Sequence, residues 1–188
     1  MGNYYGETNS SSRKEEVKKR IMFNKDEDYY FITYNILILL RTLDCNSSKN
    51  KWSDYTKLIY LAPYVANATL TKSLIKFLNG KQPNNFEQDQ LRETYIKSKL
   101  RLGVFSNILV ALERNDLVIM EKNNKRHTID IWLNKEKFKD SFLNSNLFSL
   151  EVNNATELKS AIQRLRYISS KTLLEKMYSE NGVSIWEG

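Results

Sequence analysis

The chain has 188 residues and a formal net charge of +7, with 29 Lys and Arg against 22 Asp and Glu. This length favours a single domain, and a single cysteine and a single histidine exclude an intramolecular disulfide, a multi-cysteine zinc site and paired-histidine chemistry. The six glycines are too widely spaced for the two common nucleotide-binding glycine loops, so we expect no cofactor.

The first part of the chain divides into an arm and a central helix. Residues 1–27 are polar and mixed in charge, and they contain too little apolar surface to fold, so we predict a flexible N-terminal arm. From Asp28 to Leu43 the apolar residues surround most of a helix, which is typical of a helix at the centre of a core. This helix begins a predicted domain over residues 28–134.

Three further helices are predicted before residue 103. Ser53 is the expected N-cap of the second, which should bend or stop at Pro63. Thr69 is the expected N-cap of the third, and Gly80 should end it. Three residues are expected on the buried face of the fourth: Leu91, Tyr95 and Leu100.

A fifth helix and a β-hairpin complete the predicted domain. The helix follows Gly103, ends near Asn115, and has an apolar stripe formed by Val104, Phe105, Ile108, Leu109 and Leu112. Two strands, 117–120 and 128–133, are rich in β-branched residues and flank a charged tip at 123–126. The predicted fold is mainly α with a small β-hairpin: a winged-helix-like α+β domain with additional N- and C-terminal helices.

Residues 135–188 are predicted to form a linker and a C-terminal helical segment. Asn154 and Glu157 have the spacing of a capping box, so we expect a helix from there to Ile168. A shorter helix should follow, and the apolar tail 183–186 should fold back on the core. Docking of this tail on a partner is the alternative.

Winged-helix proteins bind DNA, but this fifth helix is poorly suited to base recognition. Its apolar stripe leaves five residues on the outer face, and only one of them is basic: Asn107, Val110, Ala111, Glu113 and Arg114. We therefore expect a buried or protein-facing helix. The hairpin tip is the better nucleic-acid candidate, because four side chains could contact phosphates: Lys122, Lys125, Arg126 and His127. A charged tip that is merely solvated is the other interpretation, and the sequence leaves both open.

The sequence contains little that suggests catalysis or a membrane. Glu157-Leu158-Lys159 resembles half of a nuclease motif, but capping explains it better. Cys45 follows the acidic Asp44 and lacks a positive charge that would lower its pKa, so we expect an inert thiol. We find no set of nucleophile, base and orienting group, and we predict that the chain is not an enzyme. The longest apolar run, residues 36–40, is too short to span a membrane, so we expect a cytoplasmic protein.

Four segments, taken in order, carry a resemblance to a known family. They are residues 34–40; residues 58–63 followed by 71–74; residues 100–117 with the hairpin; and residues 163–168 with 183–186. In this order they resemble the middle component of ABC three-component systems, the Lamassu-type bacterial defence operons. The match covers roughly residues 28–188. It departs from the family where Ile36 replaces a proline, where Ser169 replaces a glycine, and in lacking the final proline motif.

The resemblance implies a non-enzymatic adaptor subunit. Such a subunit joins an SMC-like ATPase to an effector, often a nuclease, and helps to keep the effector inactive until foreign DNA is sensed. It is also a candidate for contact with DNA backbone within the complex. Arginine and aromatic residues dominate protein interfaces, so four C-terminal residues are the expected partner contacts: Arg164, Arg166, Tyr167 and Trp186. The alternative is a stand-alone winged-helix DNA-binding regulator or replication protein.

Overall fold

A computed structural model describes residues 29–139 and 146–186, so the predicted arm lies outside the described residues. The described part contains seven α-helices and one antiparallel strand pair. They are α1 (Tyr29–Thr42), α2 (Lys57–Ala66), α3 (Ala68–Leu78), α4 (Asn85–Leu100), α5 (Leu102–Arg114), β1 (Val118–Asn123), β2 (Thr128–Leu133), α6 (Ser149–Ala161) and α7 (Ser170–Met177). Short 3-10 turns occupy Ser48–Asn50, Asn146–Phe148 and Ser179–Asn181. The prediction of a mainly helical fold with a small hairpin is confirmed.

Helix α1 lies at the centre of the core, as predicted. Residues 35–40 are all buried, because α1 is covered by α2 on one side and α6 on another and also contacts β2 and α5. Helix α6 packs on α2 and α3 as well, so the C-terminal segment contributes to the same hydrophobic core as residues 29–133. A helix that is apolar around most of its circumference needs cover of this kind.

The starts of α2 and α3 differ from the prediction. Asn67, and not Thr69, caps α3, because its Oδ1 accepts hydrogen bonds from the backbone N–H groups of Thr69 and Leu70. Ser53 lies before α2 and does not cap it; its hydroxyl donates instead to the carbonyl of Arg166 at 2.9 Å. Pro63 lies inside α2, which continues to Ala66. Ser53 thus makes a tertiary contact instead of capping α2, and the side chain of Asn67 caps α3 in place of Thr69.

The junction between α4 and α5 also differs from the prediction. Leu91 and Tyr95 are buried, but Leu100 is 79% exposed. Leu100 follows Tyr95 by five residues, about 140° around a helix, so it points away from their face. Gly103 lies within α5, and Arg101 alone separates the two helices. Gly80, by contrast, has the positive φ expected of a glycine that ends α3.

The β-hairpin is anchored along both edges of β2. Strands β1 and β2 pair from Val118 with Leu133 to Asn123 with Thr128. The other edge of β2 faces the chain that leads into α2, where Trp52 and Ile131 exchange backbone hydrogen bonds of 2.8 and 2.9 Å. Strand β2 therefore lies between β1 and a third extended segment.

The C-terminal helix begins earlier and ends earlier than predicted. Helix α6 starts at Ser149, so Asn154 lies in its middle, where it is buried and donates to the carbonyl of Val65 at 2.9 Å. The predicted capping box at Asn154 and Glu157 is therefore wrong. The helix stops at Ala161, and residues 162–169 form an irregular C-terminal loop before α7. No helix among the described residues is long and apolar enough to cross a membrane.

Candidate functional site

The hairpin tip, residues 122–127, projects four polar or positively charged side chains into solvent. Lys122, Lys125, Arg126 and His127 are all exposed, and within residues 29–139 and 146–186 none of them forms an ion pair. The turn is held by Asn123, whose Oδ1 accepts from the backbone N–H groups of Lys125 and Arg126 at 3.2 and 3.3 Å. His127 closes it with a positive φ of 56°. The structure therefore places the four predicted residues at one end of the hairpin, with Lys122 in β1 and the other three on the turn.

A buried carboxylate holds the base of this tip. Asp130 is fully buried on β2 and accepts hydrogen bonds from the side chain of Asn123 (2.9 Å) and the backbone of Asp54 (3.2 Å). The ammonium of Lys51 lies 3.1 Å from a carboxylate oxygen of Asp130 and 2.7 Å from a carboxylate oxygen of Glu121. Burial alone would raise the pKa of Asp130, but these hydrogen bonds outweigh it, so its pKa lies below the usual 3.8. The tip is consequently tied to the chain before α2.

Helix α5 has the exposed face that the sequence predicts. Phe105, Ile108, Leu109 and Leu112 are buried. The opposite face is formed by Asn107, Val110, Ala111, Glu113 and Arg114, all exposed. Glu113 also accepts a hydrogen bond from the backbone N–H of Met120, which joins the end of α5 to β1. Two of these five residues are apolar and one is basic.

Three of the four predicted partner contacts lie in a loop and not on the predicted helix. Arg164, Arg166 and Tyr167 belong to the C-terminal loop, where Arg164 is exposed with a positive φ of 56°. The guanidinium of Arg166 donates to the carbonyls of Leu43 (3.1 Å) and Asp44 (3.3 Å), just beyond the C-terminal end of α1, and to the hydroxyl of Tyr167. Arg166 thus binds the two residues that follow α1, where its positive charge lies near the negative end of that helix dipole.

The fourth residue, Trp186, lies on α4, because the apolar tail folds back as predicted. Its ring meets Tyr95 edge-on at 5.0 Å and lies under the ammonium of Lys99 at 5.2 Å. Its backbone N–H and C=O both bond to the hydroxyl of Tyr95. Half of the Trp186 surface stays exposed. Val183, which begins the tail, is buried.

The structure also contains a buried lysine that the sequence analysis did not identify. Lys57 is fully buried at the start of α2, with its ammonium 4.5 Å above the ring of Trp52. It donates to the carbonyls of Leu165, Arg166 and Ile168 at 3.2, 3.0 and 2.8 Å. Burial lowers its pKa to about 8. A signal was present, because Lys57 lies four residues before the buried Leu61 and so on the same face of α2.

Cys45 has the character of an inert thiol, although for a different reason from the expected one. Arg166, Lys57 and Lys159 all lie close enough to lower its pKa, so positive charge is not missing. Burial outweighs them and raises the pKa of Cys45 to about 12. Within the described residues no three or more His, Cys, Asp or Glu side chains are grouped as a metal site.

Comparison with known proteins adds no relative to this description. No protein-family model matches the chain, and searches of curated proteins and of solved structures likewise find no match.

Proposed function

We propose that the chain is a non-enzymatic adaptor subunit of a bacterial anti-phage or anti-plasmid defence complex. In this proposal it lies in the cytoplasm, bridges an SMC-like ATPase and an effector such as a nuclease, and helps to control the effector. The order of the four segments that resemble the middle component of Lamassu-type systems supports it. The observation that carries it is the exposed face of α5.

Helix α5 occupies the place of a DNA-reading helix, directly before the hairpin, yet its exposed face suits a protein. Val110 is 42% exposed and lies beside the exposed Ala111 near the centre of this face. Neither side chain can donate to a base edge or a phosphate, and Glu113 would repel the DNA backbone. A protein partner can instead cover Val110 and Ala111 and gain from their burial.

The hairpin tip gives the proposed complex its contact with DNA. Its exposed cations lie on a tight turn and at the adjoining end of β1, which suits sequence-independent contact with phosphates.

The winged-helix interpretation belongs to this proposal too. It is supported by the pairing of Trp52 with Ile131, which adds a third extended segment to the hairpin. The one-residue junction at Arg101 differs from the three or four residues of a typical helix-turn-helix.

The test is co-purification of the tagged full chain with the ATPase and effector encoded beside it. Val110→Glu and Ala111→Glu should leave the thermal midpoint unchanged and strongly reduce the co-purified partners, because each places a charge on the proposed interface. Phe86→Glu is the matched control, since Phe86 is 69% exposed at the start of α4. Equal recovery of partners with all three variants would refute the role of α5.

The second candidate is a stand-alone winged-helix DNA-binding regulator or replication protein, which the basic hairpin tip favours. It predicts that the isolated chain binds one DNA sequence far more tightly than others. The adaptor predicts similar affinity for unrelated sequences, because phosphate contacts carry no sequence information. Binding measurements with a panel of DNA duplexes separate the two.

A further inference from the structure

The C-terminal loop and the hairpin are neighbours, because both bond to the same extended segment before α2. On one side the backbone N–H and the hydroxyl of Ser53 donate to the carbonyl of Arg166, at 3.0 and 2.9 Å. On the other side Tyr55 donates its N–H to the carbonyl of Ile129 at 2.9 Å. Adjacent extended segments are about 4.8 Å apart, so the backbone at Arg166 lies about 10 Å from β2.

Electrostatics give a second, independent link between the loop and the tip. The ammonium of Lys57 is bonded to three carbonyls of the C-terminal loop. Burial is the main cause of its lowered pKa, and the positive charge of Arg126 lowers it further. Arg126 on the hairpin tip is therefore close enough to act on Lys57, whose ammonium is bonded directly to the loop.

Two exposed cations lie on this neighbouring part of the fold. Arg164 is exposed on the C-terminal loop, with its backbone fixed by hydrogen bonds from Tyr167 and Ile168 to its carbonyl. Lys171 is exposed in the first turn of α7. That turn is attached to the same segment before α2, because the hydroxyl of Ser170 bonds to the carboxylate of Asp54.

The acidic groups of this region are already occupied. Asp54 lies close enough to the ammonium of Lys57 for the two charges to act on each other, and it also accepts hydrogen bonds from Thr56 and Ser170. Asp130 is buried, and it shares the ammonium of Lys51 with Glu121. The exposed cations on the tip and around the loop thus have little local compensation, which favours a polyanionic partner.

We propose that Arg164 and Lys171 extend the phosphate-contacting surface of the hairpin tip, so that one DNA duplex contacts the tip, the C-terminal loop and the start of α7. This inference rests on the proposed function, since it takes the tip as a phosphate site. It assigns Arg164 to nucleic acid and not to the protein partner that the sequence suggested. Arg164 shares this part of the fold with the cations of the tip, and several exposed cations together suit the phosphates of DNA.

The test compares three charge-removing variants of the full chain by fluorescence anisotropy with duplex DNA over a range of salt concentrations. They are Arg164→Gln with Lys171→Gln, the tip variant Lys122→Gln with Lys125→Gln and Arg126→Gln, and the control Lys72→Gln with Lys76→Gln. The control removes two exposed lysines from α3. Each lost phosphate contact reduces the steepness of the plot of log K against log salt by about 0.9. We therefore expect the slope to become shallower by about two units for the Arg164 and Lys171 variant and by about three units for the tip variant, and to stay unchanged for the control.

The outcomes separate the inference from the proposed function. If the tip variant loses about three units and the Arg164 and Lys171 variant behaves like the control, the inference is wrong and the tip remains a phosphate site. If the tip variant behaves like the control, or if the wild-type chain does not bind duplex DNA, the DNA contact in the proposed function fails and the inference fails with it. Unchanged thermal midpoints would show that each variant is folded.

Discussion

Replacing Asp130 with Ala should destabilise the protein by about 3 kcal/mol, because this carboxylate holds the hairpin to the chain before α2. The variant removes the acceptor for Asp54, Asn123 and Lys51. The part-buried N–H of Asp54 loses its acceptor, which costs about 1–3 kcal/mol. Lys51 keeps Glu121 as a partner and Asn123 can bind water, so these two add about 1 kcal/mol together.

The assay is urea unfolding at pH 7, followed by circular dichroism. Asp89→Ala is the matched control, because Asp89 is an exposed carboxylate that pairs with Arg92 at 2.6 Å within α4. Exposed pairs contribute little, so this control should change the free energy of unfolding by less than about 1 kcal/mol. A loss for Asp130→Ala no larger than that of the control would refute the role of Asp130 as an anchor.

The same residue gives a pH dependence whose sign follows from its lowered pKa. The hydrogen bonds favour the ionised form in the folded protein, so the stabilisation is fully present above the unfolded value of 3.8. It is lost as the pH falls through the lower folded pKa. Asp130→Asn lacks this titration. The stability difference between wild type and Asp130→Asn should therefore shrink below pH 3.8, and a constant difference would contradict the proposed ionisation.

Three further predictions concern groups away from the tip. Burial lowers the pKa of Lys57 from 10.5 to about 8, so the free energy of unfolding should rise with pH between these values, and Lys57→Met should abolish the rise in urea titrations. Burial raises the pKa of Cys45 to about 12, so the folded thiol should resist a disulfide reagent at about pH 8 that labels the urea-unfolded chain quickly; fast labelling of the folded protein would contradict this. Trp186→Ala removes a half-exposed ring from Tyr95, so it should lower the thermal midpoint by only about 2–4 °C; a much larger drop would show that the tail belongs to the core.

Elements with a strong local pattern could be predicted from the sequence. The buried run in α1, the stripe of α5 and the two strands follow from apolar periodicity and β-branched residues, which do not depend on distant contacts. The exposed face of α5 followed directly from its stripe. The positions of the helix caps were harder to predict, because Asn67 and Thr69 are both suitable caps and the sequence does not favour one over the other.

Features that depend on tertiary contacts could not be predicted. Asn154 resembles a cap, but it bonds to the carbonyl of Val65, a residue 89 positions earlier in the chain. The guanidinium of Arg166 binds the carbonyls of Leu43 and Asp44, which lie 123 and 122 positions earlier in the chain. The sequence also could not show that the C-terminal loop and the hairpin tip are neighbours, because the segment before α2 that joins them lies far from both in sequence. Polar side chains with such remote partners have no local signature.

The most direct test of the central claim is reconstitution of the complex from purified components. The full chain, the proposed SMC-like ATPase and the proposed effector would be mixed and analysed by size-exclusion chromatography with light scattering. The adaptor account predicts one complex that contains all three proteins, and it predicts that the ATPase and effector do not associate when the chain is left out or carries Val110→Glu. A chain that elutes apart from both proteins, or an ATPase and effector that associate equally well without it, would contradict the account.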